Sequence, residues 1–261
     1  MSGFDTVIIG SGFGGAVMAC RLAEKGARVL VLERGRRWSP STYPSVTMKD
    51  WLWDEDEPER QNGWLDFRYF GDMSVAMGAA VGGGSQIYAN VSIEAPEERF
   101  RQGWPAAITH AGLQPHYARV GDMLDVQHLP AGQWTDRTRL MRDAAAAIGE
   151  PGRFATVPQA IRFDPDWHYG LDDPFDHRHS RVTTNRWGRQ QGTCIHCGNC
   201  DLGCPVQAKN TLDLNYLARA EALGAEIRPL HQVRHIAPHG GGYRLHVRDL
   251  DAGVDRQLDA E

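Results

Sequence analysis

The sequence is short of several features, and each shortage excludes a class. No apolar stretch reaches the roughly 18 residues that a membrane-spanning helix requires. Lysine is scarce: Lys25, Lys49 and Lys209 are the only three, and the 28 basic residues are outnumbered by 33 acidic ones. A net charge of −5 offers no basic field to gather nucleic acid or an anionic membrane. Cysteine is scarce as well, and four of the five lie between positions 194 and 204. That clustering excludes a disulfide framework and points to ligands in a reducing compartment. The first apolar run opens at Val7, which leaves no room for a signal peptide, so the cytoplasm is the expected location. What remains, 41% hydrophobic and 23% charged over 261 residues, is the composition of an ordinary globular chain of one large or two small domains.

The stretch that organises the chain is 7–35, VIIGSGFGGAVMACRLAEKGARVLVLERG. A short apolar run, 7–9, leads into Gly10, Ser11, Gly12, Phe13, Gly14 and Gly15. A helical pattern with small residues at Ala16, Ala19 and Ala23 follows, Gly26 stops it, and a second apolar run ends on Glu33. This is strand, glycine turn, helix and strand, a βαβ unit over 5–35. In such units the first glycine permits the tight turn, the second lets backbone N–H groups approach a pyrophosphate, and the third lets the helix pack on the strand. The helix N-terminus attracts phosphate, and an acid about twenty residues on meets the ribose. The pattern predicts a dinucleotide site. The Glu33 carboxylate would repel a 2′-phosphate, which favours FAD or NAD over NADP.

Residues 36–64 read as a long irregular excursion with a short helix near 48–53, and 65–69 as a strand. A second glycine cluster fills 77–91, with Gly82, Gly83, Gly84 and Ser85 followed by Gln86, Ile87, Tyr88 and Asn90. Three adjacent glycines cost conformational entropy, and apolar residues directly after them argue against a flexible linker. The cluster predicts close approach of the backbone to a ligand. It contains neither Cys nor His, so this loop has no such residue for covalent attachment of a flavin.

The two glycine motifs together resemble the glucose–methanol–choline (GMC) flavoprotein oxidoreductases, and more closely their cholesterol-oxidase-like branch. The resemblance implies an α/β, Rossmann-like FAD-binding domain of the glutathione-reductase type, interrupted by long excursions and incomplete at the C-terminus. It places the FAD diphosphate and ribose at Gly10, Gly12, Gly15 and Glu33, and the flavin against Gly82, Gly83, Gly84 and Ser85. Where the family often has Asn three residues after the loop serine, this chain has Tyr88, and Asn90 is the nearest asparagine. Val233, in HQVRHI, matches a valine that reaches adenine through its backbone; a plain core role is the alternative. The implied activity is oxidation of an alcohol CH–OH with hydride transfer to flavin, sterol being the substrate of the branch. The family's second half, carrying the substrate sheet and a catalytic His with its His or Asn partner, has no counterpart here, so no catalytic residue is assigned. The alternative is a non-catalytic electron-transfer module or an inactive fragment, with a C-terminal partner half or an electron carrier as partner.

Further along, 113–126 and 137–148 read as amphipathic helices and 158–186 as a polar loop. Cys194, Cys197, Cys200 and Cys204, followed by Pro205 in a segment spanning 190–212, have the bacterial ferredoxin spacing C-x2-C-x2-C-x3-C-P. In two-cluster ferredoxins the fourth cysteine serves the other cluster, and here there is only one run. The run is compatible with one iron–sulfur cluster, a structural zinc, or a metal-free loop. A helix over 211–223 and strands at 226–230, 232–236 and 243–248 complete the reading of 211–250.

Overall fold

A computed structural model describes residues 3–42 and 49–260. Its centre is a parallel sheet ordered β1 (Thr6–Ile9), β2 (Val29–Leu32) and a later strand, with α1 (Phe13–Ala23) between the first two. A hairpin follows, β3 (Leu65–Phe70) and β4 (Met73–Gly78). Next come α2 (His110–Met123), β5 (Gln127–His128), α3 (Asp136–Ala147), β6 (Pro158–Gln159), β7 (Thr183–Thr184) and β8 (Gln190–Gln191). The chain then forms α4 (Tyr216–Ala222) and β9 (Glu226–Arg228), the third strand of the parallel sheet, paired to β2. An antiparallel meander ends it: β10 (His231–His239), β11 (Gly242–Asp249) and β12 (Val254–Ala260).

The βαβ pattern explains the layering. All four residues of β2 are buried, and they alternate between two cores. Val29 and Val31 face α1 and α4, against Ala16, Ala19, Cys20, Ala23, Leu217 and Ala220. Leu30 and Leu32 face the meander, against Leu245 and Val247. At about 1.5–3 kcal/mol for each fully buried Val or Leu, this strand fixes the register of the whole sandwich. The small residues of α1 let α4 pack closely on it.

Differences from the sequence reading have local causes. The single strand expected at 65–69 is half of a hairpin, because Gly71 takes a left-handed conformation at its tip. The Thr109 hydroxyl accepts a hydrogen bond from Gly112 N at 3.0 Å and starts α2 before its apolar periodicity begins. The helix expected over 211–223 is divided into a 3-10 turn, Leu212–Leu214, and α4. At the break the Asn215 side chain caps Tyr216 N and donates to the carbonyls of Asn210 and Thr211. The third meander strand, VDRQLDA, carries almost no apolar signal, and its pairing with β11 is what makes it a strand. The short helix near 48–53 is a 3-10 turn at Lys49–Trp51; Met48 lies outside the described residues.

The chain presents 15054 Å² of accessible surface. A folded monomer of its mass is expected to show roughly 11,400 Å². Among the described residues nothing pairs with the outer edge of β1, and Ile9 is 49% exposed there. Leu140, Met141 and Ile148 of α3 and its end also face outward. No helix among the described residues is long and apolar enough to cross a membrane.

Candidate functional site

The two glycine loops meet backbone to backbone. Gly10 has a φ of 85° and turns the chain from β1 into α1. A Cβ on Gly15 would stand 1.9 Å from Gly10 O, so the first turn of α1 closes only without a side chain there. A Cβ on Gly83 would stand 2.6 Å from Gly12 Cα, and Gly83 has a φ of 52°. The contact between the loops therefore depends on glycine at Gly83. Gly14, by contrast, has open space where a Cβ would point.

Glu33 is 4% exposed and anchors this junction. Its Oε2 accepts from Ser11 N at 2.9 Å and Ser11 Oγ at 2.6 Å, while Oε1 accepts from Gly35 N at 2.9 Å. Ser11 Oγ in turn accepts from Gly82 N at 3.0 Å, so one hydroxyl joins the acid to the second loop. A carboxylate oxygen has two lone pairs, which leaves one acceptor position on Oε1 for an incoming hydroxyl. Gly10, Gly12, Glu33, Gly83, Gly84 and Val233 all line one cavity of about 570 Å³. Val233 reaches it because β10 crosses beside β2.

The remaining predicted residues are placed differently. Ser85 points inward, donating to Gly82 O at 2.8 Å and accepting from Leu212 N at 3.1 Å. Phe13 packs edge-to-face on Tyr88, with ring centroids 5.5 Å apart. Both border a second, largely apolar cavity of about 690 Å³ with Val91, Ile93, Val120 and Leu124. Asn90 is fully buried in a left-handed conformation, and neither atom of its side-chain amide has a hydrogen-bond partner. Such an orphaned amide costs about 1–3 kcal/mol.

Cys194, Cys197, Cys200 and Cys204 line a single cavity of about 260 Å³ together with Phe163, Tyr169 and Lys209. The fourth cysteine thus returns to the same space as the first three. The loop that carries them winds through left-handed residues at His196, Gly198, Gly203 and Gln207. Backbone N–H groups point at sulfur: His196 N to Cys194 Sγ at 3.4 Å, and Ala208 N to Cys204 Sγ at 3.2 Å. Burial pushes the Cys194 thiol up to about 12 and also raises Cys197 and Cys200. His196, packed tilted against Trp167 with ring centroids 4.1 Å apart, is pulled down to about 4 by burial and stays neutral. Among the described residues no three Cys, His, Asp or Glu converge on a point that would hold one metal ion.

A family model described as an NAD(P)-binding Rossmann-like domain matches residues 8–51. A cholesterol oxidase of Acinetobacter baumannii is 36% identical over 245 residues, covering 91% of this chain and 42% of that protein. A GMC-type oxidoreductase of Mycobacterium tuberculosis is 27% identical over 260 residues, covering 95% of the chain and 34% of that protein. The chain belongs to the GMC oxidoreductases. It corresponds to an N-terminal part of their cholesterol-oxidase-like branch and spans between a third and a little over two-fifths of the length of these relatives. An FAD-dependent oxidoreductase from Chaetomium thermophilum shares the fold, with a TM-score of 0.53 at 16% identity over 99% of this chain and 44% of that one.

Sequence reasoning missed three residues of this GMC chain that hold the second glycine loop from behind. Gln86 Nε2 donates to Asp213 Oδ1 at 2.8 Å, and burial pushes the Asp213 carboxyl up. Lys209 is 1% exposed and donates to Gln86 O at 3.0 Å and to Cys200 O at 2.6 Å. The available signal was rarity: one of only three lysines stands five residues after the last cysteine.

Proposed function

We propose that this chain is the cofactor-holding part of a flavoprotein that oxidises the CH–OH group of an alcohol, with FAD laid across the two glycine loops. The observation that carries the reading is the convergence of Gly10, Gly12, Glu33, Gly83, Gly84 and Val233 on one cavity. These residues fit the group. The backbone is bare where phosphate must approach, the first turn of α1 offers unpaired N–H donors, and Glu33 keeps one acceptor position for a ribose hydroxyl. The buried, unpartnered amide of Asn90 is the kind of group that a polar ring edge satisfies. Bound FAD supplies the hydride acceptor, and the protein supplies position and electrostatics. Phe13 and Tyr88 shield the junction, and the apolar cavity beside them suits a sterol or another apolar alcohol. Oxygen or a one-electron carrier would take the electrons, and the proton-transferring residues would come from a C-terminal partner half. The five free thiols suit a reducing compartment such as the cytoplasm.

The test is an anaerobic titration of the purified chain with FAD, read by visible absorption. The reading expects one FAD per chain with shifted flavin bands that survive gel filtration; loss of all flavin from a folded chain would count against it. A second reading makes the chain an electron-transfer module whose cysteine run carries an iron–sulfur cluster, and the return of Cys204 to the cavity of the other three favours it. Iron and sulfide analysis of the same sample tests that reading.

A further inference from the structure

Lys209 is a charged residue placed in the interior. Its side chain is almost fully buried, yet its two hydrogen bonds go to neutral carbonyl oxygens, Gln86 O and Cys200 O. The Tyr88 ring lies beside it, its centroid 5.3 Å from the ammonium. Among the described residues no carboxylate forms an ion pair with it; Asp201 and Asp213 act at longer range. A buried ammonium without an anion is expensive. A lysine that merely packed could be replaced by methionine or leucine at a gain in stability. Lys209 lines the same cavity as the four cysteine sulfurs, and its electrostatic partners include Cys200 and Cys204.

Three other observations agree. The two N–H groups aimed at Cys194 Sγ and Cys204 Sγ are donors that favour thiolate over thiol. The loop takes four left-handed conformations in twelve residues, a winding that presents backbone inward. Cys197, Cys200 and Cys204 all lie near enough to Cys194 to act on its charge, so the four thiols gather round one space.

We infer that Lys209 is the counter-charge of an iron–sulfur cluster held by Cys194, Cys197, Cys200 and Cys204, and that it ties this cluster to the second glycine loop through Gln86. The inference rests on the second reading above and gives it a charge and a route. Four thiolates round an iron–sulfur core leave the assembly anionic, and reduction adds one electron without a proton. The ammonium therefore stabilises the reduced cluster more than the oxidised one. Gln86 closes the 3-10 turn Gly83–Gln86, whose Gly83 and Gly84 line the dinucleotide cavity. Lys209 is a positioning residue: one amine holds the walls of both sites.

The full chain is reconstituted anaerobically with ferrous iron and sulfide, desalted, and titrated with dithionite under EPR. About four iron and four sulfide per chain are expected, with a signal on one-electron reduction. Lys209→Met is expected to keep the iron and move the midpoint potential down by about 59 mV, a tenfold change in the one-electron equilibrium. Lys209→Arg, which keeps the charge, should restore most of it. A measurement that needs no substitution at Lys209 runs beside these. In a Lys25→Arg, Lys49→Arg background labelled with 15N-lysine, pulsed EPR of the reduced cluster should show nitrogen-15 coupling from Lys209. Wild-type chain that retains no iron or sulfide would sink the cluster reading and the inference with it. Iron retained, with no nitrogen-15 coupling and an unchanged potential in a folded Lys209→Met, would overturn the inference and leave the cluster reading standing.

Discussion

Replacing Gly83 by alanine forces a choice on the two glycine loops. The new methyl would stand 2.6 Å from Gly12 Cα and 3.2 Å from Gly12 N, with backbone on the far side and no flexible side chain to yield. Alanine at a φ of 52° adds about 1–2 kcal/mol of left-handed strain, and overpacking backbone against backbone adds about 1–3 kcal/mol. The sum is about 3 kcal/mol, and it emerges in one of two ways. If the folded chain absorbs the strain, unfolding shifts down by roughly 6–12 °C. If the loops part instead, the floor of the cavity opens and FAD affinity falls by roughly a hundredfold. Thermal unfolding without cofactor and fluorescence titration with FAD separate the two. Gly84→Ala is the control: its Cβ would meet Phe13 Cε2 at 3.7 Å, an ordinary contact, and its φ is not left-handed. Losses in stability and affinity that together stay below about 0.5 kcal/mol for Gly83→Ala would refute the account of the junction, as would an equal loss of thermal stability from Gly84→Ala.

Other expectations follow from the same geometry. Glu33→Gln turns an NH2 toward one of three backbone or hydroxyl donors now satisfied by the carboxylate, so it should cost about 1–3 kcal/mol in urea unfolding and weaken FAD binding as well. Asn90→Gly tolerates the φ of 63° and removes the orphaned amide; the apoprotein should keep its unfolding midpoint within about 1 kcal/mol while the extra stabilisation by FAD shrinks, and an unchanged FAD effect would separate Asn90 from the cofactor. Asp213 has a carboxyl raised by burial, so the folded chain holds that proton above the ordinary carboxylate range near 3.8. Its contribution to stability is present below that range and is lost as pH rises through the raised value. Asp213→Asn keeps an acceptor for Gln86 Nε2 and should flatten this fall; melting curves between pH 4 and 8 that run parallel for both chains would contradict the assignment.

The parts of the fold that were legible in sequence are those where one physical rule acts alone. The unit from Thr6 to Leu32 was readable because apolar period, glycine turn and helix stop agree over a short span. The meeting of the two glycine loops was foreseen only as two separate approaches to a ligand; that Gly83 touches Gly12 depends on β3 and β4 returning the chain to β1, and no local pattern states that. The edge strand Val254–Ala260 was invisible because its residues are polar and its pairing is carried by backbone. Cys204 was ambiguous in sequence since spacing does not say which cavity a thiol enters; the left-handed residues between the cysteines decide it. Lys209 and Asp213 escaped notice because burial, which makes a charged residue informative, is a property of the assembled chain.

The most direct test of the central claim is isothermal titration of the purified chain with FAD, with NADP as the competing dinucleotide. The account predicts one FAD site per chain and no NADP binding, since the buried Glu33 carboxylate would repel a 2′-phosphate. A folded chain that binds no FAD, or that binds NADP as tightly as FAD, would contradict it.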